Sequence, residues 1–283
     1  VLSDVALDHV AVAVESWSDA WPRYVGQLGG EWGSGGQNVG FAPFQLRFAN
    51  EARLEVLQPW QAEANPFLRR FLDQNGPGPH HLTFKVPDLE AALKAATDAG
   101  FTPVSVDLSD PGWKEAFLHP RQAVGVVVQL AQAAGSWQSP PPEGFPAARP
   151  QDRATLDHVV HAVADLDEGL RLFAGLLGGR ELRRDDSPEG GWRSVTLGWG
   201  GPLAVRLVAA GSGGKGNEAL AAWLGGRRGR VHHLAFAQPG RREPSRPGLA
   251  GVTPDQEPFD VIDPEDNLGV RLVVSRTPPP GPG

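Results

Sequence analysis

The sequence predicts an α+β protein made by tandem duplication of units with one strand, one helix and three further strands (βαβββ), four units in all. Three observations carry that expectation. GPGPHHLTFKVPDLEAALKAATDAG at 76–100 couples a strand of period two directly to an amphipathic helix. LDHVVHAVADLDEGLRLFAGLLGGRE at 156–181 repeats LDHVAVAVESWSDAWPRYVGQLGGEW at 7–32, and RVHHLAF at 230–236 repeats PHHLTF. A repeat distance of about 150 residues marks duplicated domains, not a solenoid.

Each element follows from local pattern. In LDHVAVAV, Val10, Val12 and Val14 share one strand face, and His9, Ala11 and Ala13 the other. Trp17, Trp21, Tyr24, Val25 and Leu28 recur at helical spacing until Gly29 and Gly30 stop the helix. Residues 38–58 alternate enough for three short strands, the last of which carries Glu55 between Leu54 and Val56. The second unit opens at Gly78. There Leu82, Phe84 and Val86 alternate with His81, Thr83 and Lys85, so His80 and His81 point to opposite faces. Asp88 is the expected N-cap of a helix with the stripe Leu89, Ala92, Leu93 and Ala96, ended by Gly100. FTPVSVDL and AFLHPRQAVGVVVQLAQ supply the remaining strands, the last bearing Gln129.

With 283 residues the chain suits two domains of about 140. The expected division is 1–135 for the first half, 136–154 (SWQSPPPEGFPAARPQDRA) for a Pro-rich linker and 155–276 for the second half. A disordered tail is expected at 277–283. In the last unit, QPGRREPSRPG at 238–248 is broken by three prolines and offers no helix.

The net charge of −7 argues against nucleic acid or an anionic membrane as the main partner. The GGRRGR run at 225–230 is the one basic cluster of note, and it reads as a solvated loop. Without cysteine, thiolate metal sites, disulfides and cysteine nucleophiles are excluded, so any metal must sit on nitrogen and oxygen. No apolar run approaches a bilayer span and no leader-type segment opens the chain, which makes the cytoplasm the expected location.

Four strands of the first half each carry one polar candidate in an apolar context: His9, Glu55, His81 and Gln129. Two imidazoles, a carboxylate and an amide oxygen suit a divalent zinc, iron, manganese, cobalt or nickel ion. For any one of them alone, a hydrogen-bonded strand residue is the plainer reading. Their matched placement in a repeated unit favours a shared site.

LDHVAVAV, RLEVLQP, NPFLRRFLDQNGPGPHHLTFKVPDLEAAL and AFLHPRQAVGVVVQL resemble, in the same order, segments of the vicinal oxygen chelate superfamily. That superfamily takes in glyoxalase I, bleomycin and fosfomycin resistance proteins, extradiol dioxygenases and methylmalonyl-CoA epimerase. The first half is most similar to its epimerase and glyoxalase-4-like members. The resemblance implies paired βαβββ units whose curved sheet encloses a metal held by His9, Glu55, His81 and Gln129. It also implies isomerase- or lyase-type chemistry on a small substrate, with Glu55 and Gln129 at the reacting centre. Lys85, Arg47 and His119 are candidate substrate contacts, though a solvated side chain, or for His119 a structural role in the LHPR turn, is the plainer reading. Glutamine stands where the epimerases carry a proton-transferring carboxylate, and 33–40 offers no second acid, which weakens a two-base epimerisation. In the second half the equivalent positions are His158, Arg206, His233 and Val273, a set in which a guanidinium repels a metal, so that half reads as a degenerate copy. The alternative is a bleomycin-resistance-like module that sequesters an aromatic ligand, lined by tryptophans such as Trp17, Trp21, Trp60, Trp113, Trp192 and Trp199. The sequence leaves open whether the halves pair with each other or in a homodimer.

Overall fold

The computed structural model describes residues 1–135, 139–147, 153–211, 215–238 and 259–275. The first half forms an eight-stranded sheet from β1 (Ala6–Ala13), β2 (Glu31–Gly35), β3 (Gly40–Arg47), β4 (Arg53–Trp60), β5 (Gly78–Lys85), β6 (Pro103–Asp110), β7 (Trp113–Leu118) and β8 (Val127–Ala133). Their order is β2-β3-β4-β1-β5-β8-β7-β6. The two βαβββ units thus meet at the sheet centre, where β1 pairs antiparallel with β5 and parallel with β4. The second half repeats the plan with β9 (Thr155–Val163), β10 (Arg180–Ser187), β11 (Trp192–Gly198), β12 (Ala204–Ala210), β13 (Gly229–Ala237), β14 (Phe259–Ile262) and β15 (Leu272–Ser275), in the order β10-β11-β12-β9-β13-β15-β14.

Helices cover these sheets. The first, α1 (Trp17–Ala20), continues as a π-helical stretch Trp21–Gln27 and stops at Gly29, whose φ is 68°. Its second-half counterpart, α4 (Leu166–Leu170), likewise runs into a π-helical stretch, Arg171–Leu176. The repeat therefore preserves even a local irregularity. Helix α3 (Leu89–Asp98) is capped as expected, with the Asp88 side chain accepting from the Ala91 N–H.

Two expectations are revised. Of the three strands expected within 38–58, two lie there, β3 and β4. The third, β2, comes earlier, because Ala42, Phe44 and Leu46 bury one uninterrupted face along β3. Two further helices also form, α2 (Phe67–Asn75) and α5 (Lys215–Leu224), where the sequence reading assigns none. Leu68 and Leu72 of α2 pack with Ala11, Ala13 and Leu57, and Leu220 and Leu224 of α5 pack with Val160, Ala162, Trp192 and Val208. Each helix lies over the sheet face opposite the main core.

Of the expected linker, 136–138 and 148–152 fall outside the described residues. The intervening segment is docked. Trp32 Nε1 donates to the Ser139 carbonyl at 2.7 Å, and Phe145 packs edge-on to Trp21 and Trp32. The expected tail, and the proline-broken segment from 239 onward, fall outside the described residues.

The two halves pair with each other within one chain. One core cluster runs through both, with Phe48 against Phe236 at 5.0 Å and Phe84 against Trp199 at 5.0 Å. Backbones meet at two related points, where a Cβ at Gly125 would lie 1.8 Å from the Gly229 carbonyl oxygen and one at Gly269 1.8 Å from that of Pro77. Both glycines also have positive φ, 86° and 72°, so any side chain there is excluded by space and by conformation. Gly125→Ala is expected to lower stability by about 2–4 kcal/mol, read as the shift in the urea midpoint. Alanine at Gly76, which also has positive φ but nothing within 4 Å, should cost about 1 kcal/mol.

Candidate metal centre

Register at the sheet centre assembles the site. Ala11 of β1 stands opposite Glu55 of β4 on one side and His81 of β5 on the other. In the neighbouring row on the same face, His9 stands opposite Thr83, and Thr83 opposite Gln129 of β8. The Ala11 side chain is too short to fill the space between the carboxylate and the imidazole. One ligand atom from each of His9, Glu55 and His81 lies within 4.8 Å of the others.

The four sequence-identified residues are thus brought together, and all are buried or nearly so. Glu55 Oε2 lies 3.4 Å from His9 Nε2 and 3.5 Å from His81 Nε2. Gln129 meets the trio through Thr83, whose hydroxyl donates to Gln129 Oε1 at 2.5 Å and lies 2.9 Å from His9 Nε2. Asp8, Gln45, Thr83 and Glu115 complete the network, and the sequence reading passed over all four as site residues. Gln45 donates to Glu55 Oε1 at 3.2 Å, and Glu115 Oε2 accepts from Gln129 Nε2 at 2.7 Å and from Trp113 Nε1 at 2.8 Å. Asp8 was legible in principle, since LDHV carries it in both copies.

Charge distribution follows from this geometry. Burial by itself would lower His9, but the Glu55 charge and the Asp8 hydrogen bond raise it to about 9. His9 is therefore an imidazolium, donating through Nδ1 to Asp8 at 2.7 Å and through Nε2 to Thr83. Burial, with His80 and His9 alongside, holds His81 well below the usual imidazole range. Its Nε2 is buried and has no hydrogen-bond partner among the described residues. A buried, unpartnered imidazole nitrogen next to a buried carboxylate is costly, and a cation satisfies both. A carboxylate behind a ligating histidine, as Asp8 stands behind His9, is the usual outer shell of such a site. The donor set therefore fits a divalent ion.

The trio lies in a cleft of about 2400 Å³. Lys85, Arg47 and His119 line it, but Lys85 Nζ is held by Asp8 at 2.8 Å and His119 accepts from the Arg121 N–H in its own turn. Of the tryptophans singled out above, Trp113 lines this cleft, while Trp17, Trp21 and Trp199 pack against the core.

A family model described as Glyoxalase/Bleomycin resistance protein/Dioxygenase superfamily matches residues 8–136. YqjC of Bacillus subtilis, an uncharacterized protein, is 34% identical over 140 residues, which is 46% of this chain and 93% of YqjC. Ethylmalonyl-CoA/methylmalonyl-CoA epimerase of Cereibacter sphaeroides is 30% identical over 132 residues, 44% of this chain and 96% of the epimerase. The chain belongs to the glyoxalase/bleomycin resistance protein/dioxygenase superfamily. Members of this superfamily typically bind a divalent metal. A mutant of 4-hydroxymandelate synthase from Streptomyces coelicolor superposes with a TM-score of 0.57 at 17% identity, covering 82% of this chain and 70% of the synthase. That likeness concerns the fold, and it extends across both halves.

Within this superfamily scaffold the second half has neither the space nor the ligands of the first. Arg206 and His233 stand opposite Val160, the counterpart of Ala11, and the valine fills the gap. Arg206 donates to Ser194 Oγ through Nε and Nη2, and its guanidinium lies over Trp192. Burial and then the Arg206 charge push His158 down to about 3, so it stays neutral. Among the described residues, the group with metal-ligand geometry is the one in the first half. No helix of the described residues is long and apolar enough to cross a membrane.

Asp8 and Asp157 occupy the same place in the two LDHV copies with opposite titration. Burial would raise Asp8, but the hydrogen bond from His9 and the charges of His9 and Lys85 hold it well below the usual carboxylate range. Asp157 accepts from the Thr155 hydroxyl, and burial lifts it to about 6. The folded chain then holds this proton more tightly than the unfolded chain, whose group titrates near 3.8, so stability falls as pH rises from about 4 to about 6. Asp157→Asn should raise the melting temperature at pH 7.5, by up to roughly 3 kcal/mol of stability, and leave it unchanged at pH 4.

Proposed function

We propose that the protein is a metal-dependent enzyme, glyoxalase-, epimerase- or lyase-like, whose first module, residues 1–135, binds a divalent ion on His9, Glu55 and His81 with Gln129 as a weaker fourth donor. Its substrate is a small molecule with two neighbouring oxygens, and the reaction passes through an enediolate or oxyanion. The observation that carries this reading is the unpartnered His81 Nε2, buried 3.5 Å from a Glu55 carboxylate oxygen.

When bound, the cation supplies Lewis-acid stabilisation of negative charge on the substrate oxygens. The chain's own residues do the rest. Asp8 fixes the orientation of His9, and Ala11 leaves the room in which ligand and substrate oxygens fit. Glu55, partly held by Gln45, is the carboxylate placed to take up a substrate proton. Gln129 cannot accept that proton. Its amide, tied to Thr83 and Glu115, orients the polar wall beside the reacting atoms. The epimerase among the relatives supports an isomerase-type reading.

The competing reading is bleomycin-resistance-like sequestration of an aromatic ligand, for which Phe41, Phe67 and Phe71 in the cleft wall are the relevant surface. Metal content separates the two. Protein purified without a histidine tag should carry, or take up, about one zinc, manganese, cobalt, nickel or ferrous ion per chain. Loss of that ion in His81→Ala, with the circular dichroism spectrum unchanged, is the expected result. Asp8→Asn should weaken binding about 10- to 100-fold. Ala11→Val, which copies the second half, should abolish binding while the fold persists. Because His9 must surrender a proton held up to about pH 9, apparent affinity should rise up to tenfold per pH unit from 7 and level off above about 9. A chain that binds none of these ions, yet binds an aromatic ligand, would overturn the proposal. Turnover of enolisable acyl thioesters, hemithioacetals or catechols by the loaded protein would then name the reaction.

A further inference from the structure

The same cleft has a second polar wall, contributed by the other half of the chain, where Trp223, Arg227, Arg230, His232 and Arg271 line it. The guanidinium carbons of Arg230 and Arg271 lie 4.5 Å and 4.3 Å from the centre of the Trp223 ring. Arg271 reaches Asp263 at 3.3 Å through Nη2 and His232 Nε2 at 3.3 Å through Nη1. Arg230 donates to the Trp223 carbonyl at 3.4 Å. Two further donors point nowhere: Arg271 Nε and Trp223 Nε1 are buried and have no acceptor among the described residues. Neither Arg227 nor Arg230 has an acidic partner among the described residues.

Comparison with the first half indicates that this cluster is not required by the fold. Aligning GVRLVV with GVVVQL, and HHL with HHL, sets Arg271 against Val127, Arg230 against Gly78 and Trp223 against Phe71. The underlying aromatic contact is the same in both copies, Phe71 to His80 at 4.7 Å and Trp223 to His232 at 4.8 Å. The first half builds it without a cation. The second has added two guanidiniums, a third at Arg227 and an indole N–H to one spot, with Asp263 as the counter-charge at Arg271. Partial desolvation, together with Arg227 and Arg271, lowers the Arg230 guanidinium, the direction expected of a cluster short of negative charge.

We propose that Arg230, Arg271 and Trp223, with Arg227 at the rim, form an anion subsite that holds a phosphate or pyrophosphate group. A multiply charged anion with several acceptor oxygens meets the surplus charge of the three guanidiniums that line the cleft, as a single carboxylate does not. The subsite stands on its own geometry and is independent of whether the first half binds a metal. Its occupant is either free phosphate or the phosphate of a small organic ester lying in the shared cleft.

Calorimetric titration of the full chain with inorganic phosphate, pyrophosphate and phenyl phosphate at low salt tests this. Saturable binding is expected, weakened at least about tenfold in Arg230→Gln and in Arg271→Gln. It should be unchanged in Arg184→Gln, which removes an exposed arginine elsewhere. Arg230 is exposed, so its variant should fold even if the Arg271 variant does not. Tighter binding of phenyl phosphate than of the inorganic ion assigns the occupant to an ester, and the reverse order assigns it to the free ion. No saturable binding of any of the three, or equal weakening by Arg184→Gln, overturns the subsite.

Discussion

Ala11 sits between Glu55 on the parallel strand β4 and His81 on the antiparallel strand β5, and the rest of the site depends on that pairing. Side chains directly opposite across adjacent strands lie close together, so a short residue in the middle strand leaves its two neighbours facing one another across a gap. His9, one step along the same face, closes the gap from above. The candidate ligands come from 73 positions of chain, His9 to His81 inclusive, yet the register holds them within 4.8 Å. A slip of one residue in the β1–β4 pairing would turn Glu55 to the face opposite both imidazoles, and one in the β1–β5 pairing would turn His81 away from His9 and Glu55.

The second half shows what the same scaffold does without that gap. Val160 occupies the place of Ala11, and Arg206 that of Glu55, so a buried cation and a branched side chain replace a buried anion and a space. Burial and the Arg206 guanidinium oppose the charging of His158, and burial, the adjacent imidazoles and that guanidinium oppose the charging of His233. The two aspartates of the LDHV copies diverge for a related reason. Asp8 is paired with a histidine, a lysine and an arginine, while Asp157 accepts from a threonine hydroxyl. One duplicated strand thus supports opposite electrostatics according to which side chains face it.

Close packing of the two halves gives the cleft its second wall. The contacts at Gly125 and Gly269 admit no side chain, and they bring the starts of β13 and β15 against the strands that carry the candidate metal centre. Residues of the second half then line a cavity whose candidate ligands belong to the first. A half without the ligand set still serves as a wall of the cleft.

Period-two alternation and the doubled LDHV and HHL segments were enough to determine the α+β class, the duplication and the strand positions of His9, Glu55, His81 and Gln129, because burial of one sheet face writes itself into the spacing of apolar residues. The same rules placed the Asp88 cap and the glycine stops, which are set by local backbone chemistry. They left out α2 and α5, whose stability comes from apolar residues packed on a sheet far away in sequence. Tertiary structure alone decided the rest. Which strand neighbours which brought Thr83, Gln45 and Glu115 to the candidate centre, gave Asp8 three cationic partners, and gathered Arg230 and Arg271 around Trp223. The GGRRGR run looks like a solvated loop in the sequence because nothing in its own residues foretells β15, more than 40 positions later, bringing Arg271 beside it. Contacts of that kind depend on sheet order and register, which a linear pattern of hydrophobicity does not encode.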